Sequence, residues 1–242
     1  MIDVTLAVTV ALMLGVPWLA ARRLTPRTLP AADVVGEAMP GLAVGVLMGR
    51  LTAMALDDPR GLTRPGDILI LRGGVEFWPG VAAGVLVLAW SARGANIDLT
   101  ARLADLAPFA LWAYAAYEAA CLVRDGCFGP PSPIGFRPEG TATTLFPVGL
   151  AVALSVVDLG AVVRALGRHR PALAVLVAVG GLGAIRAIAA VWLPRVDAGL
   201  TRPHRESIAV ATAAAVVGAI VLVRRQLTRG GGGDAHYDGA SE

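Results

Sequence analysis

The chain has 242 residues, of which 56% are hydrophobic and only 16% charged, and its mean hydropathy is +0.66. An ordinary soluble domain carries about 25% charged residues, so this composition excludes a disordered chain and argues against a soluble globular enzyme. The 21 basic residues, set against 18 acidic ones, are all arginine. They are scattered over many short segments rather than gathered on one face, which argues against nucleic-acid binding.

A helix crossing a ~30 Å hydrocarbon core needs about 20 mostly apolar residues. Seven stretches meet this and predict an all-α polytopic membrane fold: 4–21, 34–56, 77–92, 103–123, 143–163, 172–193 and 207–223. The third is short or tilted. The first is not a signal peptide, because its positive charges follow the apolar run instead of preceding it. Asp3 comes first, and Arg22, Arg23 and Arg27 come after. That order predicts an N-terminus outside. The intervening segments agree, with 11 arginines on the expected inner side and 8 on the outer. The outer segments also hold Asp57, Asp58, Glu76 and Glu206, among other acids. Residues 1–228 read as one seven-helix membrane domain with the C-terminus inside. Residues 229–242 read as a flexible, glycine-rich polar tail.

Charges within a span cost about 2.5–3.5 kcal/mol at a helix centre, and they usually face a cavity or a partner. Glu37, Arg50, Asp105, Glu118, Asp158 and Arg186 lie at such depths. Arg50 is placed to snorkel, and Asp105 sits at an inner end. Arg186 lies mid-span, after Gly180-Gly181-Leu182-Gly183-Ala184. Those small residues admit a close helix or a lipid. Its partner is either a carboxylate, Glu118 or Glu37, or a lipid phosphate, which a guanidinium fork binds bidentately.

The Gly- and Pro-rich segment 124–140 predicts a non-helical path on the outer face. Cys121 and Cys127 are either a disulfide on an oxidising side or two small buried residues. Without nearby histidines they make a poor zinc site, so no metal and no cofactor is expected. His169 and His204 fall in arginine-rich loops and His236 in the tail, so no span offers a histidine base. Trp78 and Pro79 open the third span as an aromatic anchor and a helix start.

Taken in order, several pieces resemble the prolipoprotein diacylglyceryl transferases. Val46-Leu47-Met48-Gly49-Arg50-Leu51 is similar to that family's Gly-Ala-Arg-Leu-Gly-Tyr stretch, and Gly73-Gly74-Val75-Glu76-Phe77-Trp78-Pro79-Gly80 to its Gly-Gly-x-Ser-Phe-His-Gly-Gly. Leu103-Ala104-Asp105-Leu106-Ala107-Pro108 resembles its Leu-Asp-x-x-Ala-Pro, and the run from Cys121 to Pro131, which includes Gly126 and Gly129, resembles its cysteine- and glycine-rich loop. Thr143-Thr144-Leu145-Phe146 resembles Thr-Gln-Leu-Tyr, and Gly183-Ala184-Ile185-Arg186 resembles Gly-x-x-Arg. The resemblance covers roughly residues 4–228.

It implies a seven-span enzyme of the bacterial plasma (inner) membrane. Such an enzyme moves diacylglycerol from phosphatidylglycerol to the lipobox cysteine of a preprolipoprotein. Arg186 and Arg50 would bind the headgroup, and Glu118 or Glu76 would act as the base. Cys121, Cys127, Gly126 and Gly129 would shape the outer loop. The departures are specific. The family's histidine falls on Trp78, the arginine of its signature on Glu118, and the glutamate after its late arginine on Ala190. They support an alternative, a catalytically inactive relative that binds lipid or serves another membrane protein.

Overall fold

The computed structural model describes residues 4–30, 33–63, 66, 74–122, 127–138, 140–193 and 200–230. Among them are seven long helices: α1 (Val4–Arg23), α2 (Val34–Asp57), α3 (Phe77–Gly94), α4 (Leu99–Ala119), α5 (Val148–Gly167), α6 (Pro171–Trp192) and α7 (Arg202–Gly230). Each coincides largely with one predicted apolar stretch. Four of them, α2, α5, α6 and α7, are long and apolar enough to cross a membrane. Of the others, α4 carries Arg102, Asp105 and Glu118 within its length, and α3 has 18 residues.

Helix ends depart from the sequence reading for local reasons. Helix α4 begins four residues before the expected 103, because Asp98 Oδ2 accepts the Ala101 N–H at 2.9 Å and caps the new start. Helix α5 begins five residues after the expected 143. Pro147 precedes its first turn, and the residues before it are extended. They pair with the strand β1 (Pro131–Phe136): Ser132 N–H donates to the Thr144 carbonyl at 3.0 Å. Phe146 N–H donates to the Pro130 carbonyl at 3.1 Å. Helix α7 starts at Arg202 rather than 207, with Pro203 in its first turn, where a missing N–H costs nothing. It runs to Gly230, so the first two residues of the expected tail are helical, and the rest lies outside the described residues.

Helix α4 is the hub. Helices α1, α3, α5 and α6 pack on it, α2 pairs with α3, and α7 lies on α6. Leu111 and Ala115 of α4 meet Val152 and Val156 of α5 and Ala178 and Leu182 of α6 in the main core. A smaller core joins Ala21, Val34, Leu106 and Phe109. The polarity is inverted relative to a water-soluble bundle. Arg50, Arg102, His204 and Ser207 are buried, while Leu86, Trp90, Leu154 and Ile188 are largely exposed. An apolar exterior of this extent marks a surface made for something other than water.

The connections gather at two ends. Residues 24–30 and 168–170 meet at one end, where Asp105 accepts the N–H groups of Arg27 and Thr28, both at 2.7 Å. At the other end lie Asp57, Glu76, Cys121, Cys127 and Arg202. We call these the Asp105 end and the disulfide end.

Candidate functional site

Arg186 on α6 is the centre of the disulfide half. Its Nη1 donates to the Tyr114 hydroxyl, and its guanidinium carbon lies 4.0 Å from the Phe77 ring centroid. Glu118, one turn further along α4, lies within electrostatic reach of the Tyr114 hydroxyl. The result is a cluster of guanidinium, phenol and carboxylate, walled by an aromatic face. Its Nε is buried and, among the described residues, has no hydrogen-bond partner.

The glycines before Arg186 do not leave an open groove. A Cβ on Gly183 would lie 3.0 Å from the Ser207 carbonyl and 3.1 Å from Ala211 N of α7. Ala214 faces Gly180, and Leu159 of α5 faces Gly181. The small residues therefore admit helices here. Of the two carboxylates expected opposite Arg186, only Glu118 joins it. Glu37 accepts from Ser91 Oγ at 2.6 Å, between the N-terminal part of α2 and the C-terminal part of α3.

Glu118 also borders the cysteine pair, its Oε2 4.0 Å from Cys121 Sγ. Cys121 and Cys127 form a disulfide with Cα atoms 5.8 Å apart, inside the usual range of about 4.4–6.8 Å. Glu118 and the two sulfurs are close enough to suggest a metal cluster. Sulfurs bonded to one another, however, offer no thiolate to a metal. The Cys127 carbonyl accepts from Gly149 N–H at 3.2 Å, which ties the bridge to the start of α5. Gly129 donates to the Phe146 carbonyl at 2.8 Å, and a Cβ there would lie 3.0 Å from the Trp192 carbonyl. It is thus wedged between the lead-in to α5 and the end of α6. Gly126 lies outside the described residues.

Glu76 and Arg50 sit on the α2–α3 side. Glu76 Oε1 pairs with Arg202 Nη1 at 3.0 Å, and Arg202 Nη2 pairs with Asp57 Oδ1 at 3.0 Å. Glu206 lies within electrostatic reach of Glu76, Arg202 and Arg186. Glu76 N–H donates to the Gly49 carbonyl at 3.0 Å, next to Arg50. Arg50 is buried and donates from Nη1 to the Gly74 carbonyl at 3.2 Å.

Neither a protein-family model nor a curated protein matches the chain. The resemblance to the diacylglyceryl transferases therefore stands on the motifs alone.

Four residues of this end escaped the sequence reading. Tyr114 stands four positions before Glu118, a helical spacing visible in the sequence. Arg202 was counted as a loop charge, yet it bridges two carboxylates. Ser207 accepts from Trp78 Nε1 at 3.1 Å, so Trp78 is a hydrogen-bonded wall residue as well as a helix-start aromatic. His204 is not in a loop. It lies in the first turn of α7, buried, with no partner for Nδ1 among the described residues. Pro203 was the available signal, since proline favours the first turn of a helix.

Proposed function

We propose that the chain is a seven-span protein of the bacterial plasma membrane whose disulfide end faces outward, and that Arg186 receives the phosphate of phosphatidylglycerol. The observation that carries this reading is the guanidinium itself. Tyr114 takes Nη1, while the buried Nε has no partner among the described residues. A phosphate matches a planar fork with a free edge. The disulfide supports the orientation, because such bonds persist on the exported, oxidising side.

On this reading the chain is a divergent diacylglyceryl transferase. A carboxylate takes the proton of the acceptor cysteine thiol. The thiolate sulfur attacks the glyceryl carbon bearing the phosphate, and the carbon–oxygen bond breaks. The thioether product forms, and glycerol phosphate leaves while held by Arg186. Glu118 is the better-placed base, because it lies one helical turn from Tyr114, which holds Arg186.

A second reading is favoured by one observation: both candidate bases are engaged. Glu76 is paired with Arg202 at 3.0 Å, and Glu118 lies against the disulfide, its Oε2 4.0 Å from Cys121 Sγ. A non-catalytic relative would keep the lipid site and lack the transfer. Native mass spectrometry with phosphatidylglycerol tests the shared part. Retention should fall in Arg186→Lys and fall further in Arg186→Ala, and equal retention in all three overturns the lipid site. Transfer of labelled diacylglycerol to a lipobox peptide separates the two readings. Turnover that Glu118→Gln abolishes supports the enzyme, and lipid retention without turnover supports the binder.

A further inference from the structure

At the Asp105 end, far along the bundle from Arg186, α4, α5 and the segment after α1 close around a small hollow. Its volume is about 80 Å³, and Thr25, Arg27, Asp105, Pro108, Arg164 and Arg168 line it. Pockets for drug-sized molecules run to roughly 300–1,000 Å³, so this one suits a single compact group.

Its charge is lopsided. Three guanidiniums face one carboxylate, and Arg164 lies within electrostatic reach of Arg168, Arg27 and Asp105. Asp105 is committed to the backbone, with Oδ2 accepting from the N–H groups of Arg27 and Thr28. Arg27 reaches across and donates from Nη1 to the Arg168 carbonyl at 3.1 Å, which fixes the segment after α1 against the end of α5. Like charges held this close repel one another unless an anion offsets them. Guanidinium forks match phosphate oxygens in geometry as well as charge. On the seven-span reading proposed above, the hollow lies at the inner end of the bundle, where a leaflet places its headgroups. On the same end of α1, Arg22 stacks over Trp18 with its guanidinium carbon 3.7 Å from the ring, an aromatic and basic pairing suited to a membrane interface.

We propose that this hollow is a phosphate-binding site, filled by the headgroup phosphate of an anionic phospholipid or by a free phosphate. Basic pockets between helices at a membrane surface commonly take such groups. The proposal is independent of the Arg186 site, which lies at the other end of the bundle.

The test uses the purified full chain. Native mass spectrometry counts retained phosphatidylglycerol, and the unfolding temperature is followed with added inorganic phosphate. Wild type is compared with R164Q/R168Q. If the ligand is a lipid, the double variant retains one phosphatidylglycerol fewer and binds it about tenfold or more weakly, as expected for lost charge-assisted hydrogen bonds. If the ligand is free phosphate, inorganic phosphate raises the unfolding temperature of wild type and not of the variant. Asp105→Asn keeps an acceptor for the two backbone N–H groups and removes the opposing charge. It should tighten binding, a gain that damage to the fold would not produce. Arg168→Gln alone, at an exposed position, should show a smaller loss and guards against misfolding of the double variant. An Arg186→Ala background should leave all these differences in place, so failure at one site is distinguishable from failure at the other. Equal lipid retention and equal phosphate response in wild type and a folded R164Q/R168Q overturn the proposal.

Discussion

The two ends of the bundle hold their arginines in opposite ways. At the disulfide end, side chains from two helices, α3 and α4, surround one guanidinium: the Phe77 ring, the Tyr114 hydroxyl and, beside it, Glu118. At the Asp105 end a carboxylate grips the backbone of residues 27 and 28, Arg27 in turn holds the Arg168 carbonyl, and the three arginines 27, 164 and 168 line a hollow. The first arrangement makes the cation part of the tertiary fold. The second makes the backbone the anchor and leaves the cations to a ligand. Truncating an arginine should therefore lower stability as well as lipid retention at the first end, and mainly binding at the second.

The sharpest way to break this contrast is Arg186→Ala. It removes the cation beside Tyr114 and Glu118 inside the bundle: the lost charge-assisted hydrogen bond to Tyr114 costs about 1.5–3 kcal/mol, and the lost stacking on Phe77 adds about 0.5–2 kcal/mol. A large drop in unfolding temperature is expected, partly restored by adding Glu118→Gln, which removes the stranded charge. Next in size is Asp105→Ala. It strips the acceptor from two backbone N–H groups, and hydrogen bonds to charged groups contribute about 1.5–3 kcal/mol. Faster proteolysis in residues 24–30 should accompany the loss. Arg168→Gln at the same end should stay within about 0.5 kcal/mol of wild type in unfolding measurements. The smallest effect is expected for Arg202→Gln. Its pairs with Asp57 and Glu76 are solvent-exposed on the Arg202 side, and water screens such pairs so that they contribute little. Added salt should erase the difference from wild type.

What the sequence made legible followed from physical scale. A run of some 20 apolar residues has few alternatives to a helix, so all seven stretches became helices. Their ends were less legible, because they depend on single capping events. Asp98 starts α4 early, and the pairing of Thr144 and Phe146 with the segment around β1 delays α5 until Pro147. Arg186 stood out because a mid-span cation has to have a partner. Which partner could not be read along the chain, since Glu37 and Glu118 were equally plausible acids until packing carried one to each end. Tyr114 was legible in principle, four residues before Glu118. It was missed because a phenol in an apolar run reads as packing. His204 was missed because helix α7 starts a turn earlier than its apolar residues do.

Helix α7 carries a consequence of its own. Only 6% of its 18-residue apolar window lies inside the protein, so nearly all of that window faces outward. At 1.5 Å per residue such a window is about 27 Å long, a little shorter than a ~30 Å hydrocarbon core. A helix with that mismatch stands upright in thick lipid and tilts once the bilayer is thinner than its apolar length. Its first turns bring Arg202 to Glu76 and Ser207 to Trp78, whereas Arg186 is carried by α6 against α4. Lipid thinner than that window would lean α7 and shear one half of the site past the other. Acyl-chain length thus becomes a mechanical input to this end of the protein, and Trp78 fluorescence should shift between short- and long-chain bilayers.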